Sequence, residues 1–182
     1  AAYRYLIVGS VGASFWVLGL GYLYALTGTL NMADMALRLS AGAPAVWDSP
    51  AAATGLAFIT AGLAVKMALF PLHGWQPDAY SYAPGGILAL AAGMMPKVSA
   101  YVLFRVLYWV FSGLGPARAV CEALVPLAIL GMIAGAALAL VQKDLRRLLA
   151  YSSVSQIGTV VLGFAAAMPA AAMLHLVSHA CM

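Results

Sequence analysis

Acidic residues are almost missing from this 182-residue chain: five Asp and Glu stand against nine Lys and Arg, and charged residues together make up 8% of it. Soluble domains carry about 25% charged and about 45–50% apolar residues, whereas 65% of this chain is apolar. Too little polarity remains to cover a water-soluble globule, so the bilayer is the expected solvent. The shortage of acid gives a net charge of +4, yet most basic residues sit at the ends of apolar runs. That is topology and excludes a nucleic-acid-binding patch. Cysteine is scarce too. Cys121 and Cys181 lie in or beside separate apolar segments, which excludes a disulfide scaffold and offers no zinc or iron–sulfur spacing. The chain opens on Ala1 and Ala2, with no initiator methionine, basic n-region or cleavage signature. No signal peptide is expected, and the sequence reads as the interior of a longer protein.

What is present is a series of long apolar runs. Tyr3 to Leu30 can cross a hydrocarbon core of ~30 Å at ~1.5 Å per residue. Its Gly9, Gly12, Gly19 and Gly21 suit close helix contact. Asn31 to Leu39 reads as a short surface helix, with Met32, Met35, Ala36 and Leu39 at helical spacing and Asp34 and Arg38 at i,i+4. After a turn at Gly42, Pro44, Asp48 and Pro50, helices are expected over Ala51 to Phe70, Pro84 to Phe111, Ala119 to Val141 and Leu145 to Ala166. Pro71 stops the first of these, and Pro71 to Pro84 reads as a polar connecting loop. The last run, Pro169 to Met182, has 14 residues and would reach only ~21 Å, too short to span, so more polypeptide is expected beyond it.

The expected fold is an all-α integral membrane domain over residues 1–182, with about five transmembrane helices, a truncated sixth, and a broken helix near Lys66–Pro71. Alternating helices put Arg4 with Lys143, Arg146 and Arg147 on one side, and Arg38 and Arg118, with Arg105 as a further candidate, on the other. The positive-inside rule makes the Lys143–Arg147 turn cytoplasmic.

Against this background the polar residues stand out. Lys66 lies ~22 Å along a helix begun at Ala51, where a charged side chain costs at least ~2.5–3.5 kcal/mol on insertion scales. It either faces a protein-lined cavity or snorkels toward the Pro71 end. Pro71 cannot donate to the Met67 carbonyl, so the helix break and the lysine support the same cavity, unless Pro71 simply ends the helix. Lys97 lies ~20 Å into its helix, too far from either end for easy snorkelling. Pro96 frees the carbonyl of Ala92 and is expected to kink the helix, admitting a water or a partner. Two such basic groups on consecutive helices are the material of a proton relay.

His175 and His179, at i,i+4, share one helix face and can pass protons near neutral pH. A zinc site would need further ligands, and hydrogen bonding between helices is the plainer alternative. Ser152, Ser153, Ser155 and Gln156, next to Tyr151, form a polar helix face that could hold waters or bond across helices. His73, Pro71 and Asp78, with Trp75 and Tyr80, read as an interfacial hinge, His73 being the candidate proton entry. Glu122 falls near the start of its helix, at the interface. No catalytic residue, cofactor or metal site is expected.

Four motifs then carry a family resemblance. They are Lys66-Met-Ala-Leu-Phe-Pro-Leu-His-Gly-Trp-Gln-Pro-Asp-Ala with Ala83-Pro84; Lys97-Val-Ser-Ala-Tyr with Arg105; Gln142-Lys-Asp-Leu-Arg-Arg through Gly158; and His175-Leu-Val-Ser-His179. The chain resembles the antiporter-like proton-pumping subunits shared by respiratory complex I, membrane hydrogenases and Mrp-type cation/proton antiporters, most of all the D-type subunit of the last. The resemblance implies that Lys66 is the central lysine on a broken helix, Lys97 the neighbouring relay lysine, and His175 and His179 the continuation of the relay, within inverted-topology bundles.

It also implies other membrane subunits as partners, protons and Na+ as candidate ions, the bacterial inner membrane as location, and no enzyme activity outside an NADH-quinone oxidoreductase-like translocase. The acidic partner that the family places on an earlier helix and the lysine it places after His179 lie outside this sequence. Pro96, Gln76 where leucine is usual, and Thr159 where an aromatic is common are departures within it. Two other classes stay open: a structural or assembly subunit, and a haem-bearing electron-transfer subunit using His175 or His179. The second is disfavoured because i,i+4 histidines on one helix cannot flank one haem.

Overall fold

The computed structural model describes residues 2–41, 49–112 and 115–181, and all regular structure among them is helical. In chain order the helices are α1 (Ala2–Thr27), α2 (Met32–Ala41), α3 (Pro50–Lys66), α4 (Gln76–Tyr82) and α5 (Gly85–Arg105), which runs on into a π-helical turn (Val106–Val110). They are followed by α6 (Gly115–Leu140), α7 (Leu145–Ala165) and α8 (Pro169–Cys181). Four helices, α1, α5 with its π turn, α6 and α7, are long and apolar enough to cross a membrane, and α3 is a shorter apolar helix. Large apolar side chains such as Ile87, Leu90, Ile133 and Leu174 are exposed on the outside. This is the all-α integral membrane fold that the apolar runs predict.

Several bounds differ from the expected ones. α6 begins at Gly115, a turn before Ala119, and keeps Pro126 inside it. The helix expected through Phe111 is α-helical only to Arg105, and the loop from Pro71 to Pro84 contains α4. The turn residues Gly42, Pro44 and Asp48 lie outside the described residues, as does Met182.

Two helix pairs pack backbone to backbone. A Cβ at Gly62 of α3 would lie 2.6 Å from the Gly12 carbonyl oxygen and 2.8 Å from the Trp16 amide nitrogen of α1. Gly135 of α6 is as close to α7, a Cβ there falling 2.7 Å from the Ser155 nitrogen. Small residues let helices approach this far, and close van der Waals contact is what holds apolar helices together in lipid. Of the α1 glycines singled out in the sequence, Gly12 and Gly19 meet α3, whereas a Cβ at Gly9 or Gly21 would meet nothing within 4 Å.

The break after α3 comes earlier than Pro71 would bring it. Met67 caps the helix, Ala68 takes φ +57, and the Ala68 and Leu69 amides donate to the carbonyls of Val65 (3.2 Å) and Ala64 (2.9 Å). This is a Schellman motif with alanine where glycine is usual. The Trp75 indole also donates to the Val65 carbonyl, at 2.9 Å. The Ala64 and Val65 carbonyls are thereby satisfied, and the helix breaks between Lys66 and Pro71 as expected. Ala167, at φ +58 after α7, repeats the device. Because a non-glycine residue in this region costs about 1 kcal/mol, Ala68→Gly is expected to raise the unfolding midpoint of the purified subunit. A thermal melt beside the parent protein checks this.

One face collects the basic residues. Asp78 of α4 accepts from Arg4 at 2.9 Å and from Arg147 at 2.6 Å, and Arg146 donates to the Ser81 and Ala83 carbonyls. The starts of α1 and α7 are thereby tied to α4, with Arg4, Arg146 and Arg147 on the same side. On the α2 side, Arg38 pairs with Asp34 at i,i+4 and donates to the Thr27 carbonyl, and the predicted apolar residues Met35 and Leu39 are buried.

Candidate functional site

The site starts from a missing hydrogen bond. Pro96 sits inside α5 and has no amide proton to give the Ala92 carbonyl. The helix nevertheless continues to Arg105, and the orphaned carbonyl is taken by the side chain one residue on: Lys97 Nζ donates to Ala92 O at 2.6 Å. The partner expected at this carbonyl is thus the lysine itself. The proline anchors the amine, and Lys97 is buried.

Beside Lys97, α4, α5, α7 and α8 border an open-sided cavity of about 560 Å³ lined by Lys97, Tyr80, Ser152, Ser153, Gln156 and His179. Arg146 also lines it, and its hold on the carbonyls at the end of α4 places it on the basic face. α8 reaches the cavity because it docks on α7: Ala172 and Leu176 are buried, and a Cβ at Gly163 would lie 2.8 Å from the Ala172 Cβ. That docking sets His175 against Gln156, Nε2 to Oε1, at 2.6 Å. Lys97, Gln156 and His179 line this cavity, and His175 reaches it only through its contact with Gln156. His179 Nδ1 is buried and has no hydrogen-bond partner among the described residues.

Lys66 is placed elsewhere. It lines a second cavity, of about 270 Å³, with Tyr5, Ser10, Trp75 and Met95 between α1, α3 and α5. It is exposed in this chain. The cause is local: α3 ends at Lys66 itself, and Gly9, Gly12 and Ala13 of α1 leave room beside it. The two lysines accordingly face different cavities.

The remaining sequence candidates divide. Ser152, Ser153 and Gln156 face the Lys97 cavity, whereas Ser155 donates to the Met132 carbonyl at 3.0 Å and bonds α7 to α6. His73 stacks on Phe70 at 5.3 Å and meets Tyr151 edge-on at 6.1 Å, and it lines neither of the two cavities. Asp78 is an ion-pair hub. Tyr5 and Met95, which line the Lys66 cavity, carried no motif in the sequence, and Tyr80, read there as part of the interfacial hinge, lines the Lys97 cavity. No cluster of three or more metal-ligating side chains occurs among the described residues.

Comparison with known proteins agrees with this architecture. Residues 1–182 match the family described as NADH:quinone oxidoreductase/Mrp antiporter, TM. The NADH-quinone oxidoreductase subunit N of Desulforudis audaxviator is 52% identical over 99% of this chain and 36% of its own length. Among solved structures, a chain of the membrane-bound sulfane sulfur reductase, an archaeal respiratory membrane complex, superposes with a TM-score of 0.87 at 33% identity, covering 98% of this chain and 36% of that one. A chain of the Mrp complex from Dietzia sp. DQ12-45-1b gives 0.85 at 27% identity, covering 97% and 32%. Subunit N and Mrp relatives are both represented. The chain spans about a third of the length of the curated relatives it matches.

Proposed function

This chain belongs to the NADH:quinone oxidoreductase/Mrp antiporter transmembrane family, and on that premise we propose that it is the central part of a proton-translocating subunit in a multisubunit membrane complex. Protons move through the Lys97 cavity, from Lys97 by way of Gln156 to His175 and His179, and Lys66 serves the adjoining cavity. The observation that carries this reading is the cavity of about 560 Å³ that gathers a buried amine, three hydroxyls, an amide, an imidazole and the Arg146 guanidinium between otherwise apolar helices. Intramembrane ionisable groups are costly and mark ion pathways when they face a bundle interior. The ion-pair hub at Asp78 gathers Arg4 and Arg147 on one face, which favours a cytoplasmic position for the Lys143–Arg147 turn in a bacterial inner membrane.

A second reading, a structural or assembly subunit, draws on one observation: Lys66 is exposed and not enclosed. Proton flux through the intact complex carrying Lys66→Ala separates the two. The proton-translocating reading expects flux to fall about tenfold or more. Parental flux with normal assembly would favour the structural one.

A further inference from the structure

On the side away from the basic face, two arginines have acids of their own: Arg38 pairs with Asp34 and Arg118 with Glu122, both at i,i+4. Arg105 has no ion pair among the described residues. Its depth follows from its helix. α5 runs 21 residues from Gly85 to Arg105, ~30 Å at ~1.5 Å per residue, which is the thickness of the hydrocarbon core. Gly85 follows the turn whose Ala83 carbonyl is held by Arg146 on the basic face, so Arg105 stands at the opposite membrane interface.

Aromatic rings hold the guanidinium there in place of a carboxylate. Its central carbon lies 4.0 Å from the Trp109 ring centroid and 5.9 Å from that of Tyr101, and Nη1 donates to the Tyr101 hydroxyl at 3.1 Å. Ring contacts fix the fork without cancelling its charge. The Tyr101 hydroxyl accepts from Arg105 and keeps its own proton to donate, and Arg105 Nε has no acceptor among the described residues. Met94, Val98, Tyr101 and Arg105, at i, i+4, i+7 and i+11, share one face of α5. The first three, like Trp109, are exposed. The Lys97 cavity takes other α5 residues, Ala89, Gly93 and Lys97 among them, so this stripe is separate from it.

We propose that Arg105, Tyr101 and Trp109 form a headgroup site for one anionic phospholipid in the leaflet opposite the basic face, with an acyl chain lying along Val98 and Met94. Charge complementarity selects this occupant. The stripe is apolar and ends in an uncompensated cation at headgroup depth, beside the residue type that favours that depth. The planar fork of arginine matches phosphate oxygens two at a time, and the Tyr101 hydroxyl adds a third donor. A zwitterionic lipid would bring an ammonium group toward the guanidinium, with no carboxylate of the described residues at the site to receive it. An anionic headgroup carries no such group. The inference stands on the membrane fold and does not need the proton path.

The test is a high-resolution map of the intact membrane complex in nanodiscs of phosphatidylglycerol, of phosphatidylcholine, and of the second with a limiting share of the first. In phosphatidylglycerol an elongated density is expected along Met94 and Val98, its phosphate within hydrogen-bond distance of Arg105 and Tyr101 Oη. At the limiting share, Arg105→Gln is expected to lower occupancy of the site about tenfold, the worth of one charge-assisted hydrogen bond. Equal density in Arg105→Gln, or in pure phosphatidylcholine, would mark an adventitious lipid only and overturn the proposal. A carboxylate of another polypeptide paired with Arg105 would overturn it too. Should Arg105→Gln fail to assemble, the parent complex in the two pure lipids decides: density in phosphatidylglycerol alone supports the proposal, and density in both or in neither overturns it.

Discussion

Lys97→Gln in the intact complex is expected to lower proton translocation about 100-fold while the complex still assembles. The magnitude follows from the role: a positioned group that gives and takes the proton is worth two or more orders of magnitude, and glutamine has no titratable amine. Assembly survives because glutamine keeps an N–H donor for the Ala92 carbonyl, which Pro96 leaves without a backbone partner. Lys97→Met lacks that donor and is expected to lose flux equally and, in addition, about 1–3 kcal/mol of stability through the orphaned carbonyl. Flux measured in proteoliposomes, beside a thermal melt, separates the proton function of the lysine from its structural bond.

The other large effect lies far from the polar groups. Gly62→Leu is expected to cut the amount of assembled subunit in membranes more than about tenfold. A Cβ at Gly62 would already stand 2.6 Å from a backbone oxygen and 2.8 Å from a backbone nitrogen of α1. Neither atom can swing away as a flexible side chain would. The rest of the leucine has nowhere to go, so α1 and α3 must separate. Gly12 and Gly19 on α1, each facing α3, would lose their contacts together, because the pair meets along one line of small residues. Gly21→Leu, where a Cβ meets nothing within 4 Å, is the control and is expected to assemble as the parent does. Immunoblots of native gels compare the two.

Much of this fold is legible in the chain because the bilayer imposes simple rules. Apolar runs of sufficient length announced α1, α5, α6 and α7, and the Asp34–Arg38 spacing announced the surface helix α2. Helix ends were harder. Proline is a visible stop, so Pro71 drew the end of α3 toward itself, whereas the actual stop is an alanine at φ +57 that no composition rule marks. The π turn after Arg105 is likewise invisible, since Val106–Val110 reads as ordinary apolar helix.

The site was legible in its chemistry and less so in its geometry. Pro96 and Lys97 are adjacent, and the freed Ala92 carbonyl follows from covalent structure alone, but that the lysine amine itself would fill it depends on rotamer and packing. Pairing of His175 with Gln156 depends on how α8 docks on α7, a non-local fact outside the reach of any spacing rule. Lys66 lines a cavity, one of the two readings its position left open, and its environment is set by the helix end and by glycine-bearing α1 across from it.

The claim at the centre is that the groups around the Lys97 cavity act as one proton path. Proton flux through the intact reconstituted complex, measured for Lys97→Gln, His179→Phe and the two combined, tests it most directly. A single path predicts that each variant is strongly impaired and that the double variant is no worse than the more impaired single one. Parental flux in either single variant, or losses that multiply in the double, would contradict it.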